Sequence, residues 1–523
     1  MSNGQDPMWL KNKKPLLLIL LLAISLLRVI YVAWGPFDLS PDEAHYWEWS
    51  RRPDLSYYSK GPGVAYVIWF FTRIFGVTEL GVRFGAVLFS ALASYTVFLL
   101  GRDALGSEKA GFYAAVLINI TPIFAAGAVL MTTDVLLLFF WGLALYCVFT
   151  ALKKNSASWW YAAGAAIGAG FLSKYTIVLL LPCILLYLIF SKDDRFWLKR
   201  KEPYFSALIS LVIVTPVIYW NIFHGQVTIK HTMGQAHVNG GEFSIIGPLE
   251  FIVSQIGLIT PFFFAAIVYG IWLCAKTGFK DTGDGRRGAL LTFFASAPVF
   301  AFFVVMAFRG KVQANWALAS YVAAYPASVW GFESLYERRA DKRGLLKAVA
   351  VAGVALAAII TLLVHFPQVL FPLGGGRLLT MPPFNRVTGW TELGEKVSNV
   401  KAEMEREGKP VFIMSDTYQI ASELAFYMKG NPVTFNVEVG TRRMNQYDFW
   451  PSFAGMTGDN AVYVKGGVVD KGEVVPAFER CGREVVAIHY GGNVPASRVI
   501  KEFTIFRCYG FKGMGKAQGP KTY

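Results

Sequence analysis

Long apolar runs alternate with short polar loops through the first two thirds of the chain, and then the pattern changes. A helix needs about 20 apolar residues to cross the hydrocarbon core of a bilayer. Runs near that length occupy roughly 16–34, 81–101, 110–128, 133–152, 158–173, 175–191, 204–222, 250–274, 289–308, 316–335 and 346–366. The pattern predicts an α-helical polytopic membrane protein with about eleven or more spans. Only Ser173 and Lys174 separate the fifth run from the sixth. The stretch 64–75, VAYVIWFFTRIF, is too short to span and is expected to lie along the interface.

Beyond Pro382 the periodicity becomes that of a water-soluble α/β unit. GWTELGEKVSNVKAEMEREGK and TYQIASELAFYMKG read as helices, and PVFIMSD, NAVYVKG, REVVAIHY and VIKEFTIFRCYGF read as strands. The division that follows is a membrane domain over 1–372 and a C-terminal α/β domain over 373–523, with no internal repeat and no low-complexity segment.

Composition supports this reading. The chain has 523 residues, 54% hydrophobic and only 16% charged, against about a quarter charged in an ordinary soluble domain. The net charge of +15 does not imply a nucleic-acid partner, because Lys and Arg fall mainly in the short loops. With the N-terminus inside, the loops holding Arg102/Lys109, Lys153/Lys154, Lys192–Lys201, Lys276–Arg287 and Arg338–Arg343 all lie on the cytoplasmic side, as the positive-inside bias requires. Segments 35–80, 223–249, 309–315 and everything after about 367 then face outward. The first apolar run follows Lys11, Lys13 and Lys14, lacks a clear small-x-small cleavage site, and reads as a retained helix. Of the five cysteines, Cys147, Cys183 and Cys274 lie in apolar runs. Cys481 and Cys508 lie in the C-terminal domain and would pair in an oxidising compartment.

The candidate chemistry gathers on the outward segments. In PFDLSPDEAHYWEWS, Ser40, Pro41 and Glu43 have the spacing of a capping box that starts a short helix. Asp42 is not the capping partner. It points outward from a helix start that keeps it ionised, where a general base would be held. LSYYSKGPG then places Lys60 before a rigid turn, either as a point charge for phosphate or as a snorkelling interfacial lysine. Asp134 opens an otherwise apolar span, where a carboxylate faces a cavity or a partner, or is simply a polar helix start. Arg309 and Lys311 break the charge bias of the other loops, which fits an anionic lipid headgroup. His224, His231 and His237 share one outer loop at a spacing that matches no common metal motif.

SPDEAHYWEWS, YYSKGP, ELGVRFGAVLFSAL, TTDVLLLFFW, LSKYTIVLLLP, WNIFHG, KVQANWALASY and RMNQYDFWP occur in that order. The ordered set resembles bacterial members of glycosyltransferase family 39, which is related to dolichyl-phosphate-mannose protein mannosyltransferases and to the aminoarabinose transferases of lipid A. The resemblance implies a GT-C fold and a donor sugar on a polyprenyl phosphate, undecaprenyl phosphate in a bacterium. It also implies inverting transfer to lipid A, a glycan, a glycolipid or a protein on the outer face of the inner membrane. It matches the family's acidic motif to Asp42-Glu43 with Asp42 as base, makes Lys60 a phosphate ligand, and gives Asp134 the role of orienting Lys60 or an acceptor. Arg309 or Lys311 would assist Lys60, and Trp49, Tyr57 and Tyr58 would stack on sugar and prenyl chain. The aminoarabinose enzymes carry a glutamate just before the lysine. Here the position is Ser59, so the sequence does not support a divalent metal site like theirs, and no other cofactor is implied. The rival class, a flippase for a lipid-linked sugar, would show inverted repeats and midplane charges, which the sequence lacks.

Overall fold

The computed structural model describes residues 12–235, 243–280, 284–373, 380–437, 444–489 and 499–514. Helices fill the first two thirds: α1 (Lys13–Trp34), α2 (Pro41–Ser50), α3 (Gly63–Phe75), α4 (Glu79–Leu99), α5 (Glu108–Ile120), α6 (Pro122–Gly127), α7 (Thr133–Lys154) and α8 (Ala157–Ser173). They continue as α9 (Leu180–Phe190), α10 (Glu202–Phe223), α11 (Val227–Gln235), α12 (Ile246–Ile259), α13 (Pro261–Lys280), α14 (Asp284–Ala307), α15 (Leu318–Arg338) and α16 (Arg343–His365). Among the described residues, seven helical stretches are long and apolar enough to cross a membrane. Two expected spans are broken in the structure. The run 110–128 divides at Thr121-Pro122 into α5 and α6, and 250–274 divides at Thr260-Pro261 into α12 and α13. In both, proline opens the second helix, because it lacks the amide needed inside one and disfavours a helical residue before it. The short stretch α3 is helical over 13 residues, below spanning length.

The helices are not equivalent. The apolar window of α7 is 78% buried within the protein, whereas that of the last span is 11% buried. Helix α7 is therefore the axis of the bundle, and α16 a lipid-facing stave. Trp141, Leu145 and Val148 of α7 join Leu318, Val322 and Tyr325 of α15 in the largest core.

The C-terminal domain holds a five-stranded mixed sheet of order β2-β1-β3-β5-β4. Its strands are β1 (Val411–Ser415), β2 (Thr434–Asn436), β3 (Asn460–Gly466), β4 (Phe478–His489) and β5 (Val499–Phe511). The pairs β1–β2 and β1–β3 are parallel, and β5 runs antiparallel to both β3 and β4. Helices α17 (Trp390–Glu405) and α18 (Tyr418–Tyr427) cover it. β2, three residues long, escapes the sequence pattern because so short a run shows no periodicity. Cys481 and Cys508 stand opposite each other on β4 and β5 and form a disulfide.

This domain packs on the membrane part through a shared core. Ala425 and Phe426 of α18 join Trp47 and Trp49 of α2, Val64 and Ile68 of α3, and Val135 of α7. Asp38 accepts from the Trp390 amide and the Thr391 hydroxyl, both at 2.7 Å, and so holds the start of α17 from the segment between α1 and α2.

Candidate active site

The capping box at the start of α2 is formed. The Ser40 hydroxyl accepts from the Glu43 amide at 3.5 Å, and the Ser40 amide donates to Glu43 Oε2 at 2.9 Å. Glu43 does more than cap. Arg83 of α4 donates through Nε to Oε1 and through Nη2 to Oε2, both at 2.9 Å, and the Met131 amide donates to Oε1 at 2.8 Å. Further Arg83 donors reach the carbonyls of Phe37 at 3.0 Å and Asp38 at 2.7 Å. Both ions are buried, and each is satisfied by several partners, as a buried pair requires. Glu43 thus ties α2 to α4 and to the start of α7.

Asp42, one residue earlier, faces the opposite way. Its side chain is 43% exposed and accepts from Arg386 Nη2 at 3.1 Å and from the Tyr418 hydroxyl at 3.4 Å. Burial, with the Asp42 carboxylate close by, pushes the Tyr418 phenol well up, which keeps it a donor. Tyr46, one turn along α2, is also pushed up, by burial and then by Asp42, with Tyr418 and Asp134 adding to it. The phenol of Tyr46 therefore lies within the electrostatic reach of both carboxylates.

Lys60 joins them through its turn. A Cβ on Gly61 would stand 2.3 Å from the Leu172 carbonyl oxygen, and one on Gly63 would stand 2.7 Å from the Ser173 hydroxyl. Only glycine lets the turn lie directly on the end of α8, and that contact sets Lys60 beside Lys174. The Lys60 ammonium has no hydrogen-bond or ion-pair partner among the described residues. Burial, then the positive charge of Lys174, lowers it to about 8, while Asp134 and Asp42 pull it up. A cation kept short of counterions is a site for an anion.

Asp134, at the start of α7, is fully committed. Lys174 donates to one of its oxygens, and Asn315 Nδ2 donates to the other at 2.9 Å. Gln255 of α12 holds the Asn315 segment through the Ala314 carbonyl at 2.9 Å. Asp134 thus orders Lys174 next to Lys60 instead of pairing with Lys60 itself.

The other candidates fall elsewhere. Trp49 and Tyr57 are 1% and 0% exposed and stack on each other with ring centroids 4.5 Å apart. The Tyr57 hydroxyl donates to the carbonyls of Trp49 and Arg52. Tyr58 is 3% exposed, its amide bonded to Gln446 at 2.7 Å and its ring against His231. These three are packed inside the protein and shape the loop from within. Arg309 and Lys311 are exposed and form no ion pair among the described residues. His224 stacks on Trp220 at 3.9 Å, and His237 lies outside the described residues. Among the described residues, no three His, Cys, Asp or Glu gather as a metal ion would require.

Sequence reasoning did not single out Lys174, Asn315, Tyr46, Arg386 or Tyr418. Lys174 carried a signal, a charge between two apolar runs, which is costly unless partnered. Arg386 and Tyr418 come from the C-terminal domain, and their nearness to Asp42 is purely tertiary. Together these groups make a polar face with a half-exposed carboxylate, an unpaired ammonium and a second lysine held by a carboxylate. It can take a proton at one edge and hold a phosphate at the other.

The fold and this site define a multi-pass membrane protein of GT-C architecture. ArnT from Cupriavidus metallidurans, in crystals bound to undecaprenyl phosphate, matches with a TM-score of 0.60 at 15% identity, over 94% of this chain and 97% of that one. The Archaeoglobus fulgidus oligosaccharyltransferase in complex with Zn and sulfate matches with a TM-score of 0.52 at 13% identity, over 86% of this chain and 67% of that one. The family described as dolichyl-phosphate-mannose-protein mannosyltransferase matches residues 59–220, the stretch that carries Lys60, Asp134 and Lys174. The chain is 27% identical over 413 residues to lipid A galacturonosyltransferase RgtD of Rhizobium johnstonii, spanning 79% of this chain and 82% of that protein. It is 26% identical over 250 residues to undecaprenyl phosphate-alpha-4-amino-4-deoxy-L-arabinose arabinosyl transferase 2 of Proteus mirabilis, spanning 42% of this chain and 44% of that one. The resemblance read from the ordered motifs holds.

Proposed function

We propose that this protein is a membrane glycosyltransferase that moves one sugar from undecaprenyl phosphate to lipid A, or to an envelope acceptor of that kind. The transfer takes place at the outer face of the bacterial inner membrane. The observation that carries this reading is the half-exposed Asp42 beside Lys60 and the Asp134–Lys174 pair. The relatives support it, being enzymes named for lipid A or for a sugar on undecaprenyl phosphate. In this orientation the N-terminus is cytoplasmic and the α/β domain extracytoplasmic. The basic loops support that topology, as does the Cys481–Cys508 disulfide, a bond typical of oxidising compartments.

In the reaction, an acceptor hydroxyl attacks the anomeric carbon of the donor sugar and passes its proton to Asp42. The bond from that carbon to the phosphate oxygen breaks, and the electron pair leaves with undecaprenyl phosphate. The leaving group is already an anion of low basicity, so it needs fixed positive charge more than a proton. Lys60 supplies that charge, and Lys174, held by Asp134 and Asn315, adds to it. Tyr418 and Arg386 hold the Asp42 carboxylate in place until the acceptor arrives. Glu43, Trp49, Tyr57 and Tyr58 position the loop, and Arg309 and Lys311 meet the lipid headgroup region.

The test is donor consumption by the purified protein with a panel of radiolabelled undecaprenyl-phosphate sugars and lipid A. Release of undecaprenyl phosphate together with labelled lipid A supports the reading. Label that crosses a vesicle bilayer with no donor cleaved overturns it in favour of a flippase.

A further inference from the structure

A cavity of about 1440 Å³ opens between α1, α16 and the underside of the C-terminal domain, apart from the Asp42–Lys60 face. Its membrane-level wall is apolar, with Leu27, Ile30, Leu362 and Phe366 facing it. Leu27 and Leu362 are 65% and 59% exposed, as lipid-facing residues are.

Arg28 lies within this apolar zone, about two turns below the end of α1. It is 9% exposed, and its side chain makes one long hydrogen bond, from Nη1 to the Ser90 hydroxyl at 3.3 Å. No carboxylate pairs with it among the described residues. Asp134 lines the same small crevice as Arg28, but both of its oxygens are taken by Lys174 and Asn315. A guanidinium within a membrane span is costly and normally has a partner. This one lines a large cavity with donors to spare.

The roof of the cavity has the opposite charge. Asp38, Glu79, Glu392 and Glu395 line it. Asp38 and Glu79 accept hydrogen bonds, the latter from Tyr427, and Glu392 is answered by Lys396 and His489. Glu395 has no ion pair among the described residues, so the roof keeps one carboxylate free to meet a cation. From the membrane outward the order is apolar wall, cation, carboxylates. A phospholipid with an ammonium headgroup has the complementary order of acyl chains, phosphate, ammonium.

We propose that this cavity binds an aminophospholipid, with its phosphate on Arg28 and its ammonium under the acidic roof. Phosphatidylglycerol, whose headgroup beyond the phosphate is uncharged, would satisfy Arg28 equally but would offer no cation to Glu392 and Glu395. The lining of this cavity includes neither Asp42 nor Lys60, so the inference does not depend on the proposed transfer reaction.

The test is native mass spectrometry of the full chain after delipidation, titrated with phosphatidylethanolamine, phosphatidylglycerol or diacylglycerol. The wild type is expected to hold phosphatidylethanolamine about tenfold more tightly than either of the others. Arg28→Gln should lose that advantage, Arg28→Lys should keep part of it, and Glu395→Gln should narrow the gap to phosphatidylglycerol. Leu27→Trp adds bulk to a residue already facing the cavity and should block binding while leaving the fold intact. Equal or tighter binding of phosphatidylglycerol by the wild type overturns the proposal. So does diacylglycerol binding as tightly as phosphatidylethanolamine, or phosphatidylethanolamine binding by Leu27→Trp at the wild-type level.

Discussion

Asp42 and Glu43 are neighbours in one helical turn, yet their surroundings are opposites. Glu43 is buried, with both oxygens bound by Arg83 and backbone amides. Asp42 is half-exposed, held by one ion pair and one phenol from a different domain. A carboxylate whose every lone pair is spoken for serves as a structural bolt, whereas one with loose, exchangeable partners can take a proton. The contrast teaches that an acidic motif divides its labour by which way the first turn of a helix faces. The capping geometry turns Glu43 back towards α4 and leaves Asp42 on the open side.

The largest expected effect separates the two directly. Asp42→Asn should lower turnover by about 100- to 10,000-fold, the range for a lost general base, with the thermal unfolding midpoint unchanged. Glu43→Gln should do the reverse, costing about 3–5 kcal/mol of stability because Arg83 is left buried and half-paired. Activity per folded molecule should then stay near the wild-type value, as read by unfolding in detergent alongside turnover. If Glu43→Gln folds normally and is inactive, the division between the two carboxylates is wrong.

Lys60→Ala should come next, weakening donor capture by about 10- to 100-fold through loss of a charged hydrogen bond. It should be visible in kcat/KM more than in kcat. Lys60 also gives the site a pH signature. Its ammonium sits at about 8 in the free protein, and only the protonated form attracts phosphate. Donor kcat/KM should therefore be full below that value and fall as pH rises through it. In the donor complex the phosphate favours the charged lysine, so kcat should hold to higher pH. The Lys60→Ala profile should lack this alkaline fall.

The smallest effect belongs to Arg386. Its pair with Asp42 is half-exposed on both sides, so Arg386→Ala should change stability by less than about 1 kcal/mol. A modest activity loss at unchanged stability would sharpen the idea that the C-terminal domain positions Asp42.

Much of this was legible in the chain, and the reasons differ from residue to residue. The capping box is a local motif, so Ser40, Pro41 and Glu43 could be read four letters at a time. The helices and most strands of the C-terminal domain were legible because one face of each is buried. The breaks at Pro122 and Pro261 were written in the sequence too, but hydropathy summed over 20 residues smooths over a single proline. Arg83, Lys174, Asn315 and Arg386 were out of reach as partners, because each meets its carboxylate across 40 or more residues of chain. The aromatics failed for another reason. Trp49, Tyr57 and Tyr58 have the composition of a sugar platform, and only packing reveals that they stack inward. Gly61 and Gly63 read as parts of a rigid turn, and their further use, to let backbone lie on backbone so that two lysines come together, shows only in the packing.

The most direct test of the central claim is single-turnover release of undecaprenyl phosphate at saturating donor, comparing wild type, Asp42→Asn and Glu43→Gln, each corrected for its folded fraction. The account predicts that release collapses in Asp42→Asn and survives in Glu43→Gln. Release by Asp42→Asn at the wild-type rate would contradict it and make Asp42 no more than part of a helix start.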